Sequence, residues 1–441
     1  MGWENVRLGE VIKHRRGFIT ISDEKEYKLC RVQLHRRGVL LREVIKGSQI
    51  RTKKQQLCKT GDFIVAEMDA KVGGYGFIPN DLDGAIVSSH YYLFELDQSK
   101  IRPPYLEVLS QLLVVQDQIK ATGSTNYAAI RPQNVLDWEI PLPDIEIQNI
   151  IGELYIKINS QCELLNVENT YQLDLLKKLR QQMLQDAVQG KLVPQDPNDE
   201  PASKLLERIK AEKEQLIREK KIKKDKPLPE IKPEEIPFEL PENWLWCRLG
   251  EICTKITDGT HHSPINIEIG DYKYVTAKNI KDSGIYLSNI TYISKEVHNQ
   301  IYARCNPEFG DILYIKDGAT TGIVTINNLT EPFSMLSSVA LLKPPRVVFN
   351  KFLMYSMRSP YFYDATRKDM YGVAITRVTL EKIQNSLLTV PPLSEQYRIV
   401  TKIEQLMKLC DKLEQTIQQN QTYTQELLQV ALKEALEPQT N

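Results

Sequence analysis

The stretch that decides the fold is residues 394–436, SEQYRIVTKIEQLMKLCDKLEQTIQQNQTYTQELLQVALKEAL. Within it Ile399, Ile403, Leu406, Cys410, Leu413, Ile417, Asn420, Thr424, Leu427 and Ala431 step by four and three in alternation. That period is a heptad seam, and it predicts one long helix packed against a partner helix. Asn420 and Thr424 place a polar pair in the seam, a device that fixes register at some cost in stability. Residues 146–190 carry a second stripe. Ile147, Ile151, Leu154, Ile158, Cys162 and Leu165 step by three or four, and Leu176, Leu179, Met183 and Ala187 resume the pattern. Gly190 and Pro194 end it, as a helix C-terminus should. About 45 residues of helix span roughly 67 Å at 1.5 Å per residue. Two such seams in one chain are natural partners, and an antiparallel pairing is expected.

Moving outward, each seam follows a proline step, Pro143-Asp144-Ile145 with Gln148 behind it and Pro391-Pro392-Leu393 with Gln396 behind it. Ahead of each step lies a copy of one pattern. Leu8-Gly9-Glu10-Val11 recurs as Leu249-Gly250-Glu251-Ile252, and Gly61, Asp62, Gly73, Ser88 and Ser89 recur as Gly310, Asp311, Gly322, Ser337 and Ser338 with unchanged internal spacing. A tandem repeat on this scale makes a pseudo-dimer in one polypeptide, and two heads on two helices suit a bipartite target.

The expected fold class is α+β. Two mixed α/β heads are joined by two long helical regions that form an antiparallel coiled coil, with a pseudo-twofold internal repeat. The first head covers 1–143. The first helical region covers 144–225, with a long helix over 146–190, a polar elbow over 195–201 and a Lys/Glu-rich helix over 202–223. Residues 226–243 hold five prolines and read as a linker. The second head covers 244–392 and the second helical region 393–437. Inside the heads, short apolar runs bounded by Gly, Asp and Asn read as strands. A helix is expected near 105–120, with Leu113 and Gln116 on its apolar face, and its counterpart near 352–366. The seam is assigned to Ile151, Leu154, Ile158, Leu165, Leu176, Leu179 and Met183 on one helix, and to Ile403, Leu406, Leu413, Ile417, Asn420 and Leu427 on the other.

At 441 residues the chain has room for two or three domains with real cores. No apolar run reaches the roughly 18 residues of a membrane span, and no signal peptide opens the chain. Seven scattered cysteines without a CxxC pair indicate neither a disulfide framework nor a zinc ribbon. The expected setting is a reducing cytoplasm.

Net charge is zero but unevenly spread. Residues 1–140 carry 20 Lys/Arg against 17 Asp/Glu, and residues 244–392 carry 16 against 13. The sharpest excess is residues 13–59, with 14 basic and 4 acidic. A basic stretch inside a folded head on a neutral protein is the footprint of a phosphate-backbone contact, though a lone cluster is more often a solvated face. The candidate nucleic-acid contacts of the first head are Lys13, Arg15, Arg16, Arg31, His35, Arg36, Arg37, Arg42, Lys53, Lys54 and Lys71. Arginine suits guanine edges and phosphates, and lysine suits phosphates. In the second head Asp258-Gly259-Thr260-His261-His262-Ser263-Pro264 is a turn rich in short donors and acceptors, of the kind that also caps itself. Thr260, His261, His262, Ser263, Lys278, Asn279 and Lys316 are its candidates.

Catalytic and cofactor motifs fail one by one. Asn306-Pro307-Glu308-Phe309 lacks the second proline of an adenine-methyltransferase signature. Gly73-Gly74-Tyr75-Gly76 has the wrong spacing for a dinucleotide or S-adenosylmethionine loop. There is no P-loop, and the six histidines have no metal spacing. Asp62, Glu67 and Asp69 have no matching lysine register in the second head to make a nuclease. What remains is binding chemistry.

The chain resembles the specificity (S) subunit of a type I restriction-modification system over essentially its whole length. The most specific matches are Gly190-Lys191-Leu192-Val193-Pro194-Gln195-Asp196-Pro197-Asn198-Asp199-Glu200-Pro201-Ala202, Asp258-Gly259-Thr260-His261, Gly310-Asp311-Ile312-Leu313 and Pro391-Pro392-Leu393-Ser394-Glu395-Gln396. The first head is similar to a different class of recognition domain through Phe63, Asp69-Ala70-Lys71 and Leu82-Asp83-Gly84-Ala85-Ile86-Val87. It departs from the common pattern at Asp144 and Ile147. The resemblance implies that each head is a target recognition domain reading one half of a split, asymmetric double-stranded DNA sequence. The helices would set the spacing and dock two methyltransferase (M) subunits, with restriction (R) subunits joining the full complex. It implies no catalysis and no cofactor in this chain, because S-adenosylmethionine, ATP and Mg belong to the partners. The rival reading is a coiled-coil scaffold with two protein-binding heads and no DNA role.

Overall fold

The repeated Gly-Asp step shows how the heads are built. Gly61 and Gly310 adopt positive φ, and the aspartate that follows each is buried. Asp62 accepts the Lys59 N–H at 2.8 Å, and Asp311 accepts the Glu308 N–H at 2.8 Å. Each thereby closes its own turn three residues back and launches a fully buried strand, Phe63–Ala66 or Ile312–Ile315. The second repeated glycine closes the next turn. At Gly73 (φ +79°) a side chain would meet the Arg36 backbone nitrogen at 2.8 Å, and at Gly322 (φ +104°) it would meet the Tyr363 ring at 2.7 Å.

The computed structural model describes residues 3–112, 115, 117–119, 129–224, 226–368 and 377–436. Leu113, Gln116 and Glu437 lie outside the described residues. The chain forms two compact units, Met1–Tyr171 with Ile417–Asn441, and Gln172–Thr416. Each unit holds one head and a portion of both long helices, so the helical regions do not make a domain of their own.

In the first unit β1 (Asn5–Arg7) pairs with β11 (Glu139–Pro141). A four-stranded antiparallel sheet runs in the order β2 (Ile12–Arg15), β10 (Tyr91–Leu96), β7 (Phe63–Ala66), β8 (Tyr75–Phe77). A five-stranded sheet runs β3 (Phe18–Thr20), β6 (Lys54–Leu57), β9 (Ile86–Val87), β4 (Glu26–Val32), β5 (Val39–Lys46), with β4 and β9 parallel. Leu8, Phe63, Phe94, Tyr105, Leu109 and Trp138 form the core, joined by Ile151, Tyr155 and Leu432 from the long helices.

The second unit repeats the plan. β12 (Leu245–Arg248) pairs with β22 (Leu387–Val390), and a four-stranded sheet runs β13 (Lys255–Asp258), β21 (Val339–Lys343), β18 (Ile312–Ile315), β19 (Val324–Ile326). The smaller sheet runs β17 (Thr291–Ile293), β14 (Tyr272–Val275), β20 (Phe333–Met335), with β14 and β20 parallel. It corresponds to the order β5, β4, β9 of the first head. A short hairpin of β15 (Ile280–Lys281) and β16 (Gly284–Ile285) is added. Two repeated details hold both heads. Glu10 and Glu251 each accept the N–H three residues upstream, at 3.1 and 2.6 Å. Gln148 and Gln396, both 1% exposed, each donate to the first proline carbonyl of their step, at 2.8 and 3.1 Å.

The expected helix over 105–120 starts at Pro103, the favoured first position for proline, and ends at Gln111. That over 352–366 is two helices, Asn350–Met357 and Pro360–Arg367, the second capped by the Ser359 hydroxyl. The helix expected over 202–223 stops at Arg218, and Lys220 is left-handed at φ +59°. Its Ala202, Leu205 and Ile209 enter the core of the second head. The stretch 226–243 lies along that head: the Arg248 guanidinium donates to the Pro229 and Glu230 carbonyls at 2.6 and 3.0 Å and to Glu235 at 3.0 Å.

The first long helix is Ile145–Val188 and the second Leu393–Ala435. In the first unit Tyr155 shares a core with Leu432, and the Cys162 thiol lies 3.8 Å from the Thr424 carbonyl. In the second, Leu176 and Met183 meet Cys410, while Arg180 pairs with Asp411 at 2.7 Å and Glu414 at 2.8 Å. Positions rise on one helix as they fall on the other in both units, so the pairing is antiparallel. The seam is narrower than the heptad predicts. Tyr155, Cys162, Asn169, Leu176 and Met183 are buried at intervals of seven, as are Ile403, Cys410, Ile417 and Thr424. Leu154, Leu165, Leu179, Leu413, Asn420 and Leu427 are exposed, and Ile158 and Leu406 are half-buried. Two helices cover only one ridge of each other. The second heptad position faces outward.

Candidate nucleic-acid interface

In the first head the basic stretch 13–59 divides by pairing. Arg15 turns inward, donating to Asp62 from Nε at 3.3 Å and to the Leu57 carbonyl from Nη2 at 2.8 Å. Arg36 is held by Gln111, each side chain donating to the other residue's carbonyl at 3.0 Å. Its backbone, like that of His35, is left-handed (φ +59° and +58°) and bonded to the turn at Gly73. Lys53 pairs with Asp23 and donates to the Gly47 carbonyl at 2.8 Å. These three build the head instead of presenting donors.

Lys13, Arg16, Arg31, His35, Arg37, Arg42, Lys54 and Lys71 are exposed. Lys54 lies over the Phe18 ring at 4.9 Å. Arg42 owes its position to a β-bulge. Leu29 faces Glu43 and Cys30 faces Leu41, so Arg42 is the extra residue of the edge strand. A bulge bends its strand and re-aims the side chain. Arg31 and Arg42 then line one concavity with Gln55 and Tyr91. Both are five-donor forks suited to phosphate or a guanine edge.

In the second head the turn after β13 is clamped from below. The buried Asp258 accepts Arg304 Nη2 at 2.8 Å, and the same nitrogen donates to the Asp258 carbonyl at 2.8 Å and to that of Gly259. Lys316, 3% exposed, sits between Asp258 at 3.5 Å and Asp317 at 3.2 Å. It is an interior counter-charge, a correction to its assignment as a surface contact. Asn279 is corrected too: it is buried, accepts the Thr276 N–H at 3.0 Å and donates to the Tyr286 carbonyl at 3.2 Å. Thr260 accepts the His262 N–H at 3.3 Å and donates to the His262 carbonyl at 3.0 Å. His261 stands 3.4 Å from Asp258. His261, His262, Ser263 and Lys278 remain exposed.

Arg304, Tyr91, Gln55 and Tyr274 were not singled out by the sequence. Arg304 had a weak signal, as a lone cation beside a buried cysteine, but its partner is 46 residues away. Among the described residues no cluster of His, Cys, Asp and Glu could hold a metal ion, and no helix is long and apolar enough to cross a membrane.

Comparison with known proteins adds to this geometry. Residues 1–170 and 241–421 match the family described as type I restriction modification DNA specificity domain. The chain is 36% identical over 266 residues to the type I restriction enzyme EcoAI specificity subunit of Escherichia coli, covering 54% of this chain and 41% of that protein. It is 35% identical over 254 residues to the EcoEI specificity subunit of the same organism, covering 54% and 40%. The chain thus spans about 41% and 40% of the length of these curated relatives. A chain from a solved structure concerned with complex assembly and conformational transition of the type I R-M system superposes with a TM-score of 0.64 at 20% identity, covering 100% of this chain and 98% of that one. The HsdS subunit from Thermoanaerobacter tengcongensis superposes with a TM-score of 0.51 at 20% identity, covering 99% and 96%. At that identity the superpositions establish the fold.

Proposed function

We propose a function from one premise: this chain belongs to the type I restriction-modification DNA specificity family. It acts as the sequence-reading DNA-binding subunit of a type I restriction-modification complex. Each head reads one half of a bipartite, asymmetric target. The observation that carries this reading is a shared frame with unshared surfaces. Both heads have the same strand plan, while one presents exposed arginines at a bulge and the other a clamped turn of His, Ser and Thr.

The physical division of labour follows. Exposed cations such as Arg16, Arg37 and Lys54 neutralise phosphates and fix register, and side chains at the concave edges read base edges in the major groove. The outward heptad positions, Leu154, Leu165 and Leu427 in the first unit and Leu179 and Leu413 in the second, offer exposed apolar side chains to methyltransferase subunits. Restriction subunits join that core. Chemistry resides in the partners, which bind S-adenosylmethionine, ATP and Mg and must extrude the target adenine from the stack. The chain itself is non-catalytic, carries no cofactor and works in the cytoplasm.

Methylome sequencing of cells co-expressing this chain with its methyltransferase tests the reading. A split, non-palindromic adenine motif is the expected result, and a perfect palindrome refutes asymmetric recognition. A gel shift on mixed duplex DNA separates this reading from a protein-binding scaffold, which would retard no DNA with or without the methyltransferase.

A further inference from the structure

In each head the parallel strand pair ends at the repeated serine pair. β9 runs into Ser88-Ser89, and β20 runs through Leu336 into Ser337-Ser338. A concavity opens at this place in both. In the first head it measures about 440 Å³ and is lined by Arg31, Arg42, Gln55, Ser88 and Tyr91. In the second it measures about 650 Å³, and its lining includes Tyr274, Lys278, Tyr286, Asn289 and Ser338. We propose that these two concavities are nucleobase-reading pockets, each receiving the edge of a base in its own half-site, and that Tyr274 and Ser338 are specificity-determining residues of the second head. The proposal rests on the DNA-reading function above and deepens it.

Two buried hydroxyls carry the argument. Tyr274 is 2% exposed, and its hydroxyl has no hydrogen-bond partner among the described residues. The Ser338 hydroxyl is likewise shielded and unpartnered. Buried polar atoms are nearly always satisfied, so two orphans lining one cavity mark a place where a polar partner arrives from outside. Burial pushes the Tyr274 hydroxyl up to about 12, so it remains a protonated donor at neutral pH. A phenol and an alcohol on the floor, with Lys278 and Asn289 in the lining, match the acceptors and exocyclic groups of a base edge. The first head offers two guanidinium forks instead, the set that suits a guanine edge. One concavity beside the serine pair of each head, with different chemistry in each, is what two different half-sites require.

Selection from a duplex library with two randomised blocks tests this, using the full chain in complex with its methyltransferase subunits. The wild-type complex is expected to enrich a bipartite motif. Tyr274→Phe and Ser338→Ala should each lose about tenfold or more of the discrimination at one or two base pairs of a single half-site. The other half-site and the salt dependence of binding should stay as they are. Thermal unfolding should be unchanged, because removing an unpaired hydroxyl breaks no bond. If the motif is bipartite and both variants keep full discrimination, the hydroxyls are satisfied by water and the proposal falls. A uniform loss at all positions also overturns it, since the pocket would then contribute affinity without reading. If the wild type enriches no motif, the function proposed above fails first. Should Tyr274→Phe unfold the head, Ser338→Ala and Lys278→Ala carry the same test.

Discussion

The two heads solve one problem with different cations. Each buries the aspartate of its Gly-Asp step, and each must supply a counter-charge. The first draws Arg15 from β2, while the second draws Lys343 from the end of β21, 2.7 Å from Asp311. These two strands hold different places in the repeated plan, since β2 corresponds to β13 and β21 to β10, and the two places are adjacent in both sheets. The frame therefore fixes the carboxylate and leaves the source of the cation open. The same freedom extends to the surface, where the first head presents Arg31 and Arg42 at its bulge while the second ties Arg304 to the turn at Asp258 and buries Lys316 beneath it.

The largest effect should come from breaking the frame. Asp62→Ala and Asp311→Ala each take the buried carboxylate from a mostly buried cation, leaving Lys343 only the exposed Glu308 at 3.1 Å, and each should cost about 3 kcal/mol in denaturant unfolding. A severe loss in one head with none in the other would end the equivalence. Next comes the surface. Arg16→Ala combined with Arg37→Ala should lower DNA affinity and flatten the salt dependence by about two ion-release units, whereas Arg31→Ala combined with Arg42→Ala should relax base preference in one half-site. Arg36→Ala should leave the salt slope alone and cost about 1 kcal/mol of stability through its lost bond to Gln111. An unchanged slope in the first double variant would remove Arg16 and Arg37 from the interface, and unchanged base preference in the second would remove the bulge.

A smaller effect is expected at the elbow that docks on the second long helix. Asp199 accepts the Ser394 hydroxyl at 2.5 Å and the Arg398 guanidinium at 2.5 Å. The Arg398 bond holds its carboxyl below the ordinary range, with the Ser394 bond adding to this against the effect of burial. A depressed folded value means stability that is present above the unfolded value of about 3.9 and is lost as pH falls through the folded value. Asp199→Asn should cost about 1 kcal/mol at neutral pH, discounted for the exposure of Arg398, and nothing in strong acid. The smallest effect on the isolated chain belongs to Leu413→Ala, within about 0.5 kcal/mol because the side chain is exposed. Co-purification of the methyltransferase should nonetheless weaken.

The period of the helices was legible in the sequence, but their phase was not. A four-three alternation names two positions per heptad as inward, and two helices alone bury one of them. Cys410 and Ile417 are inside while Leu413 between them is out. Charge was legible as composition and misleading as geometry. Arg15 meets Asp62 across 47 residues and Arg36 meets Gln111 across 75, distances over which a sequence pattern carries no pairing information. Ser338 was visible as a repeated residue, but that its hydroxyl lacks a partner is a property of the packed head.

The grip of Arg248 on residues 229–235 has a consequence for recombining such chains. A flexible linker would let any head be grafted at the first strand of its sheet. Here the strand residue Arg248 recognises the backbone of the segment before it, so the segment and the head form one cassette. A graft joined at Leu245 would divide a lock from its key. One joined in the elbow, upstream of Ala202, would carry the strap, the Lys/Glu-rich helix and the head across together.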